Sequence, residues 1–264
     1  MKIPDEIRKA VAFIAFENKT TGEIDPVGSC FFLGHDPPEG QTTSPKMYVV
    51  TARHIIDKLQ KKGVKETFLR LNSKSVPPPF LAARIPIEEW YAHPSDKTID
   101  VAIFETGIPK DADHLVLSES MCATREIFKQ HEVELGDEVM ISGLFQHHFG
   151  NNKNIPIVRV GNLAALNEER VSTQLFGEID AYLVEARSTG GLSGSPVFLN
   201  LGVSRVLAGH VKHAKQPVCF LLGLIHGHFS DEPSAAINAG IAIVVPVESI
   251  LATITEYERG GAKG

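Results

Sequence analysis

Cysteine is scarce in this 264-residue chain: three residues, Cys30, Cys122 and Cys219, with no CxxC spacing. Three is too few and too odd for a disulfide framework, and without CxxC a structural zinc site is not expected. Basic residues are outnumbered, 26 Lys and Arg against 32 Asp and Glu, giving a formal charge of -6. No broad basic field is therefore available to attract nucleic acid. No apolar run approaches the ~18 residues of a transmembrane helix. The run at 11–16 is short, follows Asp5 and Glu6, and precedes no small-residue cleavage site, so it makes a poor signal peptide. HExxH is missing, which leaves the pairs His210/His213 and His226/His228 without the pattern of a metal-dependent hydrolase. Internal repeats are absent too. The expectation is a reduced, cytoplasmic protein with no metal, no cofactor, no nucleic-acid partner and no membrane partner.

What is present is enough apolar material, 43% of residues, to bury a sizeable core, with 22% charged residues. Wholesale disorder is excluded by that balance. Short apolar runs bounded by turn residues fall at 11–16, 29–33, 47–51, 67–71, 101–104, 138–142, 157–160, 181–185, 196–199, 206–208, 219–225 and 241–245. They read as strands. Helical windows are few: a short one at 54–62, and a better one at 247–258. The second carries Val247, Ile250, Leu251, Ile254 and Tyr257 on one stripe, after Pro246 and before Gly260 and Gly261. This pattern predicts an all-β barrel or sandwich with a terminal helix. Apolar density dips around 110–120, where a crossover between two β halves would fit.

The segment 189–198, TGGLSGSPVF, is the most informative. Glycines around a serine let backbone N–H groups converge on one point beside an exposed hydroxyl, although plain Gly/Ser turns are common. A serine nucleophile needs a base. His54 stands just past the buried strand of 47–51, where a rigid sheet would hold it, though capping or surface histidines are the commoner case. The base needs an orienting carboxylate. Asp100 enters the apolar strand 101–104, where an acid is costly to bury without a partner, unless it only caps a loop. The order His54, Asp100, Ser193 excludes the α/β-hydrolase and subtilisin orders and matches the chymotrypsin type.

The chain resembles the trypsin/chymotrypsin-like serine peptidases, especially their bacterial trypsin-like branch. The resemblance rests on GSCFFLG (28–34), VVTARHII (49–56), DVAIFE (100–105), LGDEVMISG (135–143), GGLSGSPVF (190–198), LLGLIHG (221–227) and NAGIAIVVP (238–246), in the family's order. It implies two six-stranded antiparallel β-barrels with the site in the cleft between them. Residues 1–115 would form the first barrel, with His54 and Asp100. Residues 116–246 would form the second, with Ser193, and 247–264 the C-terminal helix and tail. Ser193 would be the nucleophile, His54 the general base and then acid, and Asp100 the orienting acid. The N–H groups of Gly191 and Ser193 would form the oxyanion hole. Ile225, His226, Gly227 and His228 would pair with an extended peptide or protein substrate.

Four departures accompany the resemblance. Leu192 stands where the family has Asp or Asn, so the usual ionic anchor of the oxyanion loop is gone. With no IVGG-like start, activation by N-terminal cleavage is not expected, and another device, such as a regulatory protein, must order that loop. Ser195 replaces a glycine, and His226 replaces a serine near the triad acid. The cysteines lack the family's secreted disulfide pattern. Arg187 and Ser188 lie where the floor of the primary pocket begins. Arg187 with His226 and His228 would favour an acidic P1 side chain; if Arg187 instead pairs with Glu185 or solvent, a small apolar pocket remains. An active serine endopeptidase is the first expectation. The alternative is a catalytically silent trypsin-like fold that holds a peptide or partner.

Overall fold

The computed structural model describes residues 6–37, 44–75, 80–186, 190–232 and 235–260. A short helix, α1 (Glu6–Lys9), leads into the first β unit. Its strands are β1 (Ala12–Glu17), β2 (Ile24–His35), β3 (Lys46–Thr51), β4 (Glu66–Asn72), β5 (Phe80–Pro86), β6 (Tyr91–Ala92), β7 (Ala102–Glu105) and β8 (Val116–Ser118). They form one sheet in the order β5-β4-β1-β2-β3-β7-β6. β8 lies just beyond residue 115 and joins this sheet, running parallel to β2. Among the described residues the ends of the path, β5 and β6, do not pair, so this unit is a curled sheet rather than a closed six-stranded ring.

The second unit contains β9 (Glu138–Gly143), β10 (Ile157–Ala165), β11 (Val171–Thr173), β12 (Gly177–Ile179), β13 (Tyr182–Glu185), β14 (Pro196–Leu207), β15 (His210–Glu232) and β16 (Ala235–Pro246). Six of these close into an antiparallel barrel, β10-β13-β16-β15-β14-β9. β11 and β12 form a separate hairpin. Closure removes exposed sheet edges. One curled sheet beside one closed antiparallel barrel is the β-rich, chymotrypsin-like architecture that the resemblance implies.

Burial explains why the strands form. β1 buries four residues in a row, Ala12 to Ala15, and Phe31, Phe32 and Leu33 of β2 are fully buried. Continuous apolar runs of this kind suit strands covered on both faces. The core spans both units, joining Phe31 and Val49 to Phe198, Leu221 and Leu224. Helix α4 (Val247–Arg259) closes it, with Ile250 and Ile254 fully buried. Tyr48 on β3 donates its hydroxyl to Glu258 Oε1 at 2.8 Å, tying this helix to the first sheet.

Helix α2 (Arg53–Lys61) follows β3 after one residue and carries the first candidate site histidine. It packs on β2 through Ile55. A methyl group on Gly28 would lie 2.3 Å from Ile55 Cδ1, so a larger residue there would have to displace the Ile55 side chain. Helix α3 (Arg125–Gln130) lies in the crossover between the two units.

Candidate active site

Strand register brings His54 and Asp100 together. β3 pairs with β7 so that Thr51 faces Ala102. His54 is three residues past Thr51, and Asp100 two residues before Ala102. The N-cap of α2 is Ala52, which has no side-chain acceptor. Asp100, just before β7, supplies one: its Oδ1 accepts the His54 N–H at 2.9 Å. Its Oδ2 lies 2.8 Å from His54 Nδ1. One carboxylate therefore both caps the helix and fixes the ring. An ionised carboxylate only accepts, so its partners assign the proton of His54 to Nδ1 and leave the lone pair on Nε2.

Asp100 is fully buried. Burial alone would raise its proton affinity. The His54 charge, the hydrogen bonds from His226 and His54, and the His226 charge outweigh it and hold the carboxyl below its ordinary range. The start of α2 adds a favourable field for the anion.

His226 is the unexpected partner. Its Nδ1 lies 2.5 Å from the same Asp100 Oδ2, and its side chain is 6% exposed. The His54 and His226 rings meet edge to face, centroids 5.5 Å apart. His54, Asp100 and His226 offer three potential ligand atoms within 4.8 Å of one another. Both N···O distances are hydrogen-bond lengths, however, and a cation there would need both Nδ1 atoms stripped of protons. His210 and His213 sit elsewhere, opposite Leu207 and Ser204 on the β14–β15 hairpin.

Ser193 shares the cleft with His54 and His226. Its hydroxyl donates to the His226 carbonyl at 3.3 Å. Among the described residues, no acceptor takes the N–H of Gly191 or of Ser193. The loop that holds them is stitched to the first sheet by one residue, Ser29 of β2. The Ser29 N–H donates to the Ser193 carbonyl at 2.9 Å, and its hydroxyl to the Gly191 carbonyl at 3.1 Å. The Ser195 hydroxyl donates to Ser29 Oγ at 3.0 Å, as does the Leu144 N–H at 2.8 Å. Ser195, standing where the family has glycine, is thus a fully buried member of this network. Gly194 keeps its glycine for a separate reason: φ is +77°, and a methyl group there would lie 2.2 Å from Ser29 O.

Leu192 is fully buried in the apolar core of the second barrel, with Ile141, Val197 and Leu222. The loop is therefore anchored by hydrophobic packing where the family uses a polar side chain. Sequence reasoning registered the missing anchor but not its apolar replacement, nor the role of Ser29.

The cleft has a volume of about 330 Å3. Gly190, His226, Gly227 and His228 line it. Burial lowers the proton affinity of His228, favouring a neutral hydrogen-bonding ring over a cation. Ile225 is fully buried, and its N–H and C=O are taken by Ser195 and Gly194. That leaves His226, Gly227 and His228 to face the cleft. Arg187 and Ser188 lie outside the described residues. The β11–β12 hairpin supplies a wall that the sequence did not disclose: Phe176 meets His226 edge-on at 5.7 Å, and Arg53 lies 5.6 Å from the Phe176 ring centre.

No protein-family model and no curated protein matches the chain. Solved structures do. The MamO protease domain of Magnetospirillum magneticum (apo form) has a TM-score of 0.54 at 15% identity, over 94% of this chain and 96% of that one. Deg5 has a TM-score of 0.50 at 15% identity, over 96% and 90%. A serine-to-alanine variant of the HtrA-type protease AlgW with a decapeptide has a TM-score of 0.55 at 13% identity, over 96% of this chain and 64% of that one.

Proposed function

We propose that this chain, which has the trypsin-like serine protease fold of those structures, is a serine endopeptidase. The observation that carries the reading is the double contact of Asp100 with His54, at 2.9 and 2.8 Å, in the cleft that also contains Ser193. Ser193 Oγ attacks the scissile carbonyl. His54 Nε2 takes its proton and later returns it to the leaving amine. Asp100 holds the ring in the Nδ1–H tautomer and stabilises the imidazolium. The N–H groups of Gly191 and Ser193, untaken among the described residues, receive the developing oxyanion. The substrate is an extended peptide lying along 226–228. A regulatory protein that orders the oxyanion loop remains part of the proposal. A cytoplasmic setting is supported by three free thiols, Cys30, Cys122 and Cys219.

A second reading has one observation in its favour. The Ser193 hydroxyl is turned to the His226 carbonyl, and among the described residues it makes no bond to His54. A cleft left in that state would hold a peptide without cutting it. A peptide-library cleavage profile separates the two readings. The peptidase reading expects defined cleavage sites that are insensitive to EDTA and vanish in Ser193→Ala. Binding without cleavage supports the silent module.

A further inference from the structure

A second cavity, of about 760 Å3, lies between α4 and the 88–94 segment of the first sheet. It has over twice the volume of the active-site cleft, about 330 Å3, and shares no lining residue with it. Four aromatic rings line it: Trp90, Tyr91, Phe104 and Tyr257. Tyr91 and Tyr257 meet edge to face at 5.2 Å, and Trp90 and Phe104 are tilted by 47° at 6.3 Å. The Trp90 Nε1–H is spent inside the protein, on Thr67 Oγ1 at 2.9 Å, so this ring has only its π surface to offer.

The rim is acidic. Among the described residues that line it, Glu88, Glu89 and Glu256 face a single cation, Arg259, which pairs with Glu256 at 2.8 Å. Glu88 and Glu89 are exposed, and among the described residues neither has an ion-pair partner. The field of Glu256 reaches Tyr91, and that of Glu89 reaches Tyr257. Burial first, and then Glu256, raises the proton affinity of the Tyr91 phenol. Burial, then Glu105 and Glu89 against Lys46, does the same at Tyr257. Packing of α4 on the sheet explains buried aromatics, but not a roomy aromatic cavity beneath unpaired carboxylates. Aromatic faces and carboxylates attract the same kind of group, an organic cation with an apolar stem.

We propose that this cavity is a binding site for an arginine or lysine side chain carried on a basic segment of a protein partner, separate from the catalytic cleft. The cation lies against the aromatic walls, and its charge is answered by Glu88 and Glu89. A basic segment is also drawn by the overall charge of -6.

Trp90 is the only tryptophan of the chain, so its fluorescence reports on this cavity alone. The experiment titrates end-capped tetra-arginine into Ser193→Ala protein, which excludes cleavage of the probe, and follows Trp90 emission. A saturable change is expected, weakened by added salt and absent with end-capped tetraglutamate. In the Glu88→Gln/Glu89→Gln double variant the half-saturation point is expected to rise roughly tenfold. Circular dichroism confirms that this variant is folded. No saturable change, or an unaltered curve in the double variant, overturns the proposal. Saturation by tetramethylammonium at lower concentration than by tetra-arginine overturns the peptide assignment in favour of a free small cation. The same two substitutions on a Ser193-intact background are expected to leave fluorophosphonate labelling unchanged, so the failure of this site is distinguishable from failure of the peptidase reading.

Discussion

Replacing Asp100 by Asn keeps the shape of the side chain but removes its charge and one of its two acceptors. The site uses both oxygens: Oδ1 takes the His54 N–H at 2.9 Å, and Oδ2 takes His54 Nδ1 and His226 Nδ1 at 2.8 and 2.5 Å. An amide can satisfy only one side. If its NH2 faces the His54 N–H, two donors collide at the start of α2. A buried unsatisfied donor costs about 1–3 kcal/mol. For a protein of this size each kcal/mol lowers Tm by roughly 2–4 °C. If the amide flips, its NH2 faces the imidazoles, and both rings must move their protons to Nε2. His54 Nε2 then has no lone pair for the proton of Ser193. In serine triads the equivalent change lowers kcat by roughly 10⁴. In both arrangements the carboxylate that would stabilise the imidazolium is gone. The assay is the rate of covalent labelling by a fluorophosphonate, read beside thermal unfolding. Asp100→Asn is expected to label about 10³- to 10⁴-fold more slowly, with a modest fall in Tm. Folded Asp100→Asn that labels within tenfold of the wild type would refute the reasoning.

Two further outcomes follow from burial. Leu192→Asp installs the polar type common in the family, but places a carboxylate in the apolar core with Ile141, Val197 and Leu222; it is expected to lower stability by about 3 kcal/mol or more and to reduce labelling. Denaturant unfolding checks this, and a variant as stable as the wild type contradicts the apolar anchor. His114 packs edge-on against Phe32 at 4.8 Å, and burial brings its pKa down from 6.5 to about 4. Between these values the unfolded chain binds the proton and the folded chain does not, so stability rises with pH across that window and is lost on acidification, by roughly 3 kcal/mol in total. Comparing Tm at pH 7 and pH 4.5 tests this, and His114→Gln should flatten the difference.

How far the sequence carries depends on how local the signal is. The run read as a strand at 47–51 is Lys46–Thr51, and the terminal helix read at 247–258 is Val247–Arg259, because apolar periodicity and Pro/Gly punctuation mark both. The long β14–β15 hairpin was read as three separate runs. Its middle is solvent-exposed on both faces, with Val206 and Val211 60% and 61% exposed, so no alternation marks it. β8, α3 and the β11–β12 hairpin are too short for an apolar pattern to mark them, and β5, although apolar, directly follows the prolines of 77–79 and buries only Ile85.

The candidate triad was legible because each member follows or precedes a buried strand and is a chemically unusual residue for its place. The Asp100–His226 contact was not, since it joins residues 126 apart that only the closing of the second barrel onto the first sheet brings together. Ser29 was hidden for a similar reason: it reads as one polar residue in an apolar strand, and its partners Gly191, Ser193 and Ser195 lie on the other unit.

The central claim is that Ser193 is a nucleophile activated by His54. Intact-mass measurement after treatment with a fluorophosphonate, with the adduct located by peptide mapping, tests it most directly. The account predicts one adduct per chain, on Ser193, lost in Ser193→Ala and nearly lost in His54→Ala while both variants remain folded. Wild-type protein that stays unlabelled, or labels equally well in Ser193→Ala, contradicts it.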